Sequence, residues 1–175
     1  TAAGFPFYYG GAFSRMLQQR LQETFPDRKI EVVNTAMAAV NSYTLLDLAD
    51  DILAQQPDAV LVYAGHNEFY GALGVGSAES LGRSPALVRA YLRLQRFRTV
   101  QLLRNGVMGL AAMGQPDTPG PGNTLMARIV REQTIPYGSD LYRAGIDQFD
   151  ANLGALLAIY EKAGVPVLIG TVASN

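Results

Sequence analysis

The chain has 175 residues, of which 49% are hydrophobic and 17% charged, and its net charge is −1. This balance suits one globular domain burying roughly two-thirds of its unfolded surface, and it removes the electrostatic basis for nucleic acid as a partner. The absence of cysteine rules out disulfides and thiolate metal sites and leaves the redox compartment open, while no apolar run approaches the roughly 20 residues of a membrane span.

In chain order, Phe13, Leu17, Leu21 and Phe25 recur every fourth residue and predict a helix over about 12–25, stopped by Pro26. The run Ile30-Glu31-Val32-Val33 predicts a strand over 29–34. Ser42 reads as the N-cap of a helix whose Leu45, Leu46, Ala49, Ile52 and Leu53 share a face, ending before Pro57. Next comes Ala59-Val60-Leu61-Val62, an apolar run without alternation that predicts a strand over 58–64 in a covered, parallel sheet. About a hundred residues separate it from the next core run, Val167-Leu168-Ile169, far more than one crossover helix needs. Within them, Gly71, Gly74, Gly76 and Gly82 mark a glycine-rich stretch, and Ser84-Pro85 opens a long helix to about Leu103. Residues 115–122 are the clearest loop in the chain, followed by a short helix near 124–132. A final helix starts at Ser139, carries Tyr142, Ile146, Phe149, Leu153, Leu156, Leu157 and Tyr160 on one face, and stops at Gly164-Val165-Pro166. Strands alternating with helices predict an α/β fold with a parallel sheet and right-handed crossovers.

Tyr63-Ala64-Gly65-His66-Asn67-Glu68 follows the central strand directly, at the carboxyl end where open α/β sheets bind ligands. Asn67 in that place can aim a neutral side-chain donor at a developing oxyanion, an interaction worth roughly 3–4 kcal/mol of transition-state stabilisation. Its alternative role is to cap a turn or the next helix. His66 is the only histidine and a general base by residue type. Glu68 is either a substrate-facing carboxylate or a helix-start residue favoured by the dipole. Arg89, Arg93, Arg96, Arg98 and Arg104 form either a docking surface for an acidic polymer or lipid headgroup, or a solvated helix face. The inserted residues 74–133 leave the sheet at the same end as Asn67, so they form either a helical cap over a site, or a layer or subunit interface that only packs.

Gly65-His66-Asn67, together with the upstream block Asn34-Thr35-Ala36-Met37-Ala38-Ala39 and with Gly4 near the start, resembles the SGNH hydrolases, also called GDSL esterases and lipases. The resemblance implies a three-layer α/β/α fold with a flavodoxin-like parallel sheet. It makes residues 1–175 the interior of a single hydrolase domain, incomplete at both ends, with a helical cap at 74–133. Gly4 would be the last glycine of the family's Gly-Asp-Ser-x-x-x-Gly turn, which puts the nucleophilic serine immediately before Thr1. The base would come from a later Asp-x-x-His segment, and the position of His66 is variable in the family. Asn67 would supply one oxyanion donor and the Ala39 N–H the other, Gly65 being the glycine of the Gly-x-Asn motif. Two positions depart from the family pattern: Glu68 replaces the usual aspartate, and Ala39 replaces a glycine. Alanine keeps the N–H but tolerates positive φ poorly.

Tyr8 and Tyr9, beyond the implied nucleophile turn, either line a substrate groove or join the core. The implied chemistry is acyl transfer through a serine ester on a small-molecule or polymer-linked ester, with no metal or organic cofactor. An esterase, lipase or carbohydrate-ester deacylase is one outcome. An O-acyltransferase and a catalytically silent binding module on the same scaffold are the others. Residues 1–175 alone are expected to be inactive, and the resemblance points to an exported or membrane-anchored parent.

Overall fold

The computed structural model describes residues 3–4, 11–71, 74–76, 85–112 and 134–171. Tyr8 and Tyr9, the loop at 115–122, the short helix near 124–132 and most of the glycine-rich stretch lie outside them. The chain divides into two compact units, Thr1–Ala38 and Ala39–Asn175.

In the first unit, α1 spans Phe13–Thr24, as its four-residue apolar period dictates. Residues 29–34 do not form the strand their composition suggests. Their backbone donors are taken by glutamines of α1: Ile30 N–H donates to Gln22 Oε1 at 3.2 Å and Val32 N–H to Gln18 Oε1 at 3.3 Å. Gln22 also donates to the Arg28 carbonyl at 2.7 Å. The segment is thus tethered along its own helix, and Val33 is left 72% exposed.

The second unit is mixed α/β. Its described elements are α2 (Ser42–Leu53), β1 (Val60–Val62), α3 (Pro85–Gln95), α4 (Arg98–Ala112), α5 (Asp140–Lys162) and β2 (Val167–Ile169). The two strands pair in parallel, with Val60 opposite Val167, Leu61 opposite Leu168 and Val62 opposite Ile169. β1 is shorter than the predicted 58–64 strand while β2 matches its apolar run, and the pairing is bounded by Val60 N–H on the Pro166 carbonyl at 2.9 Å and Gly170 N–H on the Val62 carbonyl at 2.8 Å. Ala49 of α2, Val62 of β1, and Leu156 and Tyr160 of α5 form the buried core, which Leu45, Val60, Leu153 and Val167 extend. Helices α2 and α5 therefore cover the face bearing Val60, Val62 and Val167. On the opposite face Leu61 and Leu168 remain 46% and 57% exposed; burial alternates along β1 but not along β2, where Ile169 is 51% exposed.

Helix ends follow local chemistry, with one correction. Asn41, not Ser42, caps α2: its backbone is extended and its side chain accepts from Tyr43 N–H at 3.2 Å. Ser42 is the first helical residue, and its hydroxyl is committed elsewhere. Ser139 caps α5 as expected, accepting from Tyr142 N–H at 3.1 Å. At the other end Gly164 takes φ +71°, and the Val165 and Gly164 N–H groups return to the Tyr160 and Glu161 carbonyls, both at 3.0 Å. That pattern is a Schellman stop.

The long helix predicted from Pro85 to Leu103 is two helices, broken at Arg96-Phe97. The last turn of α3 tightens, with Phe97 N–H donating to the Leu94 carbonyl at 3.1 Å. Gln101 Nε2 then takes the Gln95 carbonyl at 2.7 Å, and Arg96 is drawn to Asp47 of α2, donating to its carbonyl oxygen at 2.7 Å and to Oδ1 at 3.1 Å.

The buried stripe of α5 also differs from its apolar one. Gly145, Gln148, Asn152, Leu156 and Tyr160 are buried, while Ile146 is 47% exposed. The helix is rotated so that two amides face inward, and the reason lies at the turn after β1.

Candidate functional site

The chain leaves β1 through Tyr63 and Ala64 and reverses at Gly65, whose φ of +131° is open to glycine and strained for a residue with a β-carbon. A compact turn over 66–70 follows. Glu68 N–H donates to the Gly65 carbonyl at 3.3 Å, and Gly71 N–H closes the turn onto the Asn67 carbonyl at 2.6 Å. Asn67 is half-buried, and its side-chain amide has no hydrogen-bond partner among the described residues. Among the described residues this side-chain amide caps no helix, and it is the Asn67 backbone carbonyl that closes the turn.

Ala39 belongs to the same locus. It sits in a turn at φ +61°, the left-handed region that the residue type opposes and a glycine would adopt freely. Among the described residues its N–H has no acceptor. The two loops meet at Gly71. A β-carbon there would fall 2.6 Å from the Asn67 carbonyl oxygen and 3.1 Å from both the Ala39 carbonyl oxygen and Asn41 Cβ. Only a residue without a side chain lets these backbones close together, so Gly71 draws Asn67 and Ala39 into one place.

Glu68 faces neither solvent nor a helix of its own. It is 4% exposed, and its carboxylate accepts three hydrogen bonds. Ser42 N–H reaches Oε2 at 3.0 Å, Ser42 Oγ–H reaches Oε1 at 2.6 Å, and Gln148 Nε2 reaches Oε1 at 2.6 Å. Asn152 Nδ2 in turn donates to Ser42 Oγ at 2.9 Å. The carboxylate therefore lies at the positive end of α2, where a helix N-terminus favours an anion, with a side-chain amide of α5 closing the other side. Salt-bridge partners of Glu68 are absent among the described residues, so these hydrogen bonds and the end of α2 offset its desolvation. The reading of Glu68 as a substrate-facing carboxylate is corrected by this burial.

Next to this cluster lies Tyr43, 2% exposed. Burial pushes its phenol above the ordinary value, opposed by the positive charge of Arg89 and reinforced by the negative charge of Glu68. Asn41 Nδ2, Arg89 Nε and Asn152 Oδ1 are buried without a hydrogen-bond partner among the described residues.

The remaining predicted residues are dispersed. His66 is exposed on the turn, its ring 5.4 Å from that of Tyr63 and tilted by 57°. Gly4 is buried at φ +105°, and Asn34 accepts from Ala36 N–H at 3.0 Å; both belong to the first unit. Arg93, Arg98 and Arg104 are exposed, as a solvated face requires, but Arg89 is partly buried and Arg96 engages Asp47. Among the described residues no group of three His, Cys, Asp or Glu has the geometry to hold a metal ion, and no helix is long and apolar enough to cross a membrane.

Sequence reasoning missed Gln148, Asn152 and Gly71. A signal for the first two was present: they stand at i and i+4 on the line continued by Leu156 and Tyr160, two amides interrupting a core stripe. Gly71 had none, because its close approaches join loops distant in sequence. Comparison with protein-family models, curated proteins and solved structures returned no significant match.

Proposed function

We propose that this chain carries the oxyanion-binding part of a serine ester hydrolase of SGNH type. The observation that carries the reading is the meeting of Asn67 and Ala39 at Gly71. Two groups able to donate to a tetrahedral oxyanion, a side-chain amide and a backbone N–H, both without partners among the described residues, belong to one locus beyond the end of a parallel strand. Neutral preorganised donors of this kind stabilise the charge that develops when an ester carbonyl is attacked. The positive φ of Ala39 fits a loop built for glycine, the residue the resemblance implies there.

The finer architecture we propose is a three-layer, flavodoxin-like sheet. In the strand order 2-1-3-4-5 the third and fourth strands are neighbours and the second is separated from the third by the first. With β1 as third and β2 as fourth strand, the parallel β1–β2 pair is the expected one. A parallel sheet is ordinarily covered on both faces, so the exposed Leu61 and Leu168 call for a second helical layer. The reading also requires a serine nucleophile and a histidine base beside this locus. The reaction would then proceed through attack of the serine on the ester carbonyl, with the proton passing to that histidine and the oxyanion held by Asn67 and Ala39.

The test is hydrolysis of p-nitrophenyl acetate by the full-length polypeptide and its Asn67→Ala variant. Loss of one oxyanion donor should lower kcat by roughly 10²–10³-fold. Activity indifferent to Asn67 would refute the assignment, and acyl transfer to an added sugar in place of water would identify a transferase.

A further inference from the structure

We infer that Glu68 is a positioning residue for the Asn67–Ala39 pair, acting through Ser42 of α2 and Gln148 of α5. The inference rests on the oxyanion reading above and deepens it.

Glu68 follows Asn67 directly, and its carboxylate ties their shared turn to two helices at once. One anchor, Ser42, lies three residues beyond Ala39, so the bond that holds Glu68 also fixes the chain emerging from the Ala39 turn. Gly71 also brings the same two segments together. The two loops are therefore joined at two points, one a charged hydrogen-bonded bridge and one a backbone contact, with Asn67 next to the bridge in the chain and Ala39 at the contact.

The chemistry of the bridge is specific to a carboxylate. All three groups that face it are donors, and Ser42 Oγ must give its proton to Glu68 because it accepts from Asn152. A carboxylate accepts on both oxygens, whereas glutamine replaces one of them with an NH₂ that would confront a donor. The side-chain length matters as well. Oε1 and Oε2 span from the start of α2 to Gln148, and a carboxylate one methylene shorter cannot hold both with the same backbone. Glu68 is itself 4% exposed, so its effect on an ester would pass through where Asn67 and Ala39 sit.

The experiment compares the full-length polypeptide with Glu68→Gln, Glu68→Asp and Gln148→Met, using Glu161→Gln on the exposed end of α5 as control. Ester hydrolysis and amide hydrogen exchange over residues 65–71 are measured together. Misplacing an oxyanion donor by about 1 Å costs on the order of a hundredfold in rate. Glu68→Gln is therefore expected to lower kcat by about ten- to a hundredfold with KM nearly unchanged, and to accelerate exchange at Gly71. Glu68→Asp and Gln148→Met should give smaller changes in the same direction, and Glu161→Gln none.

A Glu68→Gln protein that is folded, with wild-type kcat and wild-type exchange at Gly71, would overturn the inference. If Glu68→Gln fails to fold, Gln148→Met decides by the same two readouts, since it removes one donor and preserves the volume. If the unaltered polypeptide hydrolyses no ester, the functional reading fails, and exchange at Gly71 still decides whether Glu68 holds the turn.

Discussion

Two glycines on α5 should respond differently to alanine. Each gives up roughly 1 kcal/mol of helix propensity relative to alanine. At Gly154 an added β-carbon meets no atom within 4 Å, so Gly154→Ala should stabilise by roughly 0.5–1 kcal/mol. At Gly145 the same carbon would enter the ring of Phe69, with Cδ1 at 2.6 Å and Cε1 closer still. That ring is stacked on Tyr142, centroids 5.6 Å apart and planes within 18°, so it cannot swing aside toward that neighbour. Overpacking of this kind costs about 1–3 kcal/mol, which cancels or outweighs the propensity gain. The two variants should differ by the overpacking alone, or roughly 2–12 °C in Tm for a chain of this size.

Urea or thermal unfolding of both proteins measures the difference, and a third variant identifies its cause. In a Phe69→Ala background Gly145→Ala should become stabilising, as Gly154→Ala is. If Gly145→Ala raises Tm as much as Gly154→Ala does, Phe69 does not dock in the α5 notch. The seating of the Asn67 turn on that helix would then be wrong.

Ala39→Gly should stabilise the chain by up to about 1 kcal/mol, because the 1–2 kcal/mol cost of a left-handed alanine exceeds the added chain entropy of glycine; unchanged or lowered urea midpoints would refute the strained turn. Tyr43 and Tyr160 are 2% and 1% exposed, and burial raises both phenols above their ordinary value of 10.0. The folded state then holds protons that the unfolded state releases, so this contribution is complete below pH 10 and is lost as pH rises through the folded values. Unfolding free energies measured from pH 9 to 11 should fall, and the Tyr43→Phe, Tyr160→Phe double variant should flatten that slope; an unaltered slope would assign the loss to other groups.

Much of this molecule is decided over short stretches of chain, and there the sequence alone suffices. The period of Phe13, Leu17 and Leu21 produces α1; Ser139 and Gly164 bound α5; Val60-Leu61-Val62 and Val167-Leu168-Ile169 become strands. Each depends on backbone geometry and side-chain periodicity within a few residues. The position of Asn67 just past β1 was legible for the same reason.

What tertiary structure decided are the cases in which two distant segments compete for one group. Residues 29–34 have strand composition, yet their donors are taken by Gln18 and Gln22. Ser42 is a good cap by type, but its hydroxyl serves Glu68 and Asn41 caps in its place. Glu68 looks like a surface carboxylate until Ser42 and Gln148, 26 and 80 residues away in the chain, surround it with donors. Desolvation makes those partnerships obligatory: a buried carboxylate must find hydrogen bonds wherever the fold can bring them, and no local pattern records which residues will supply them.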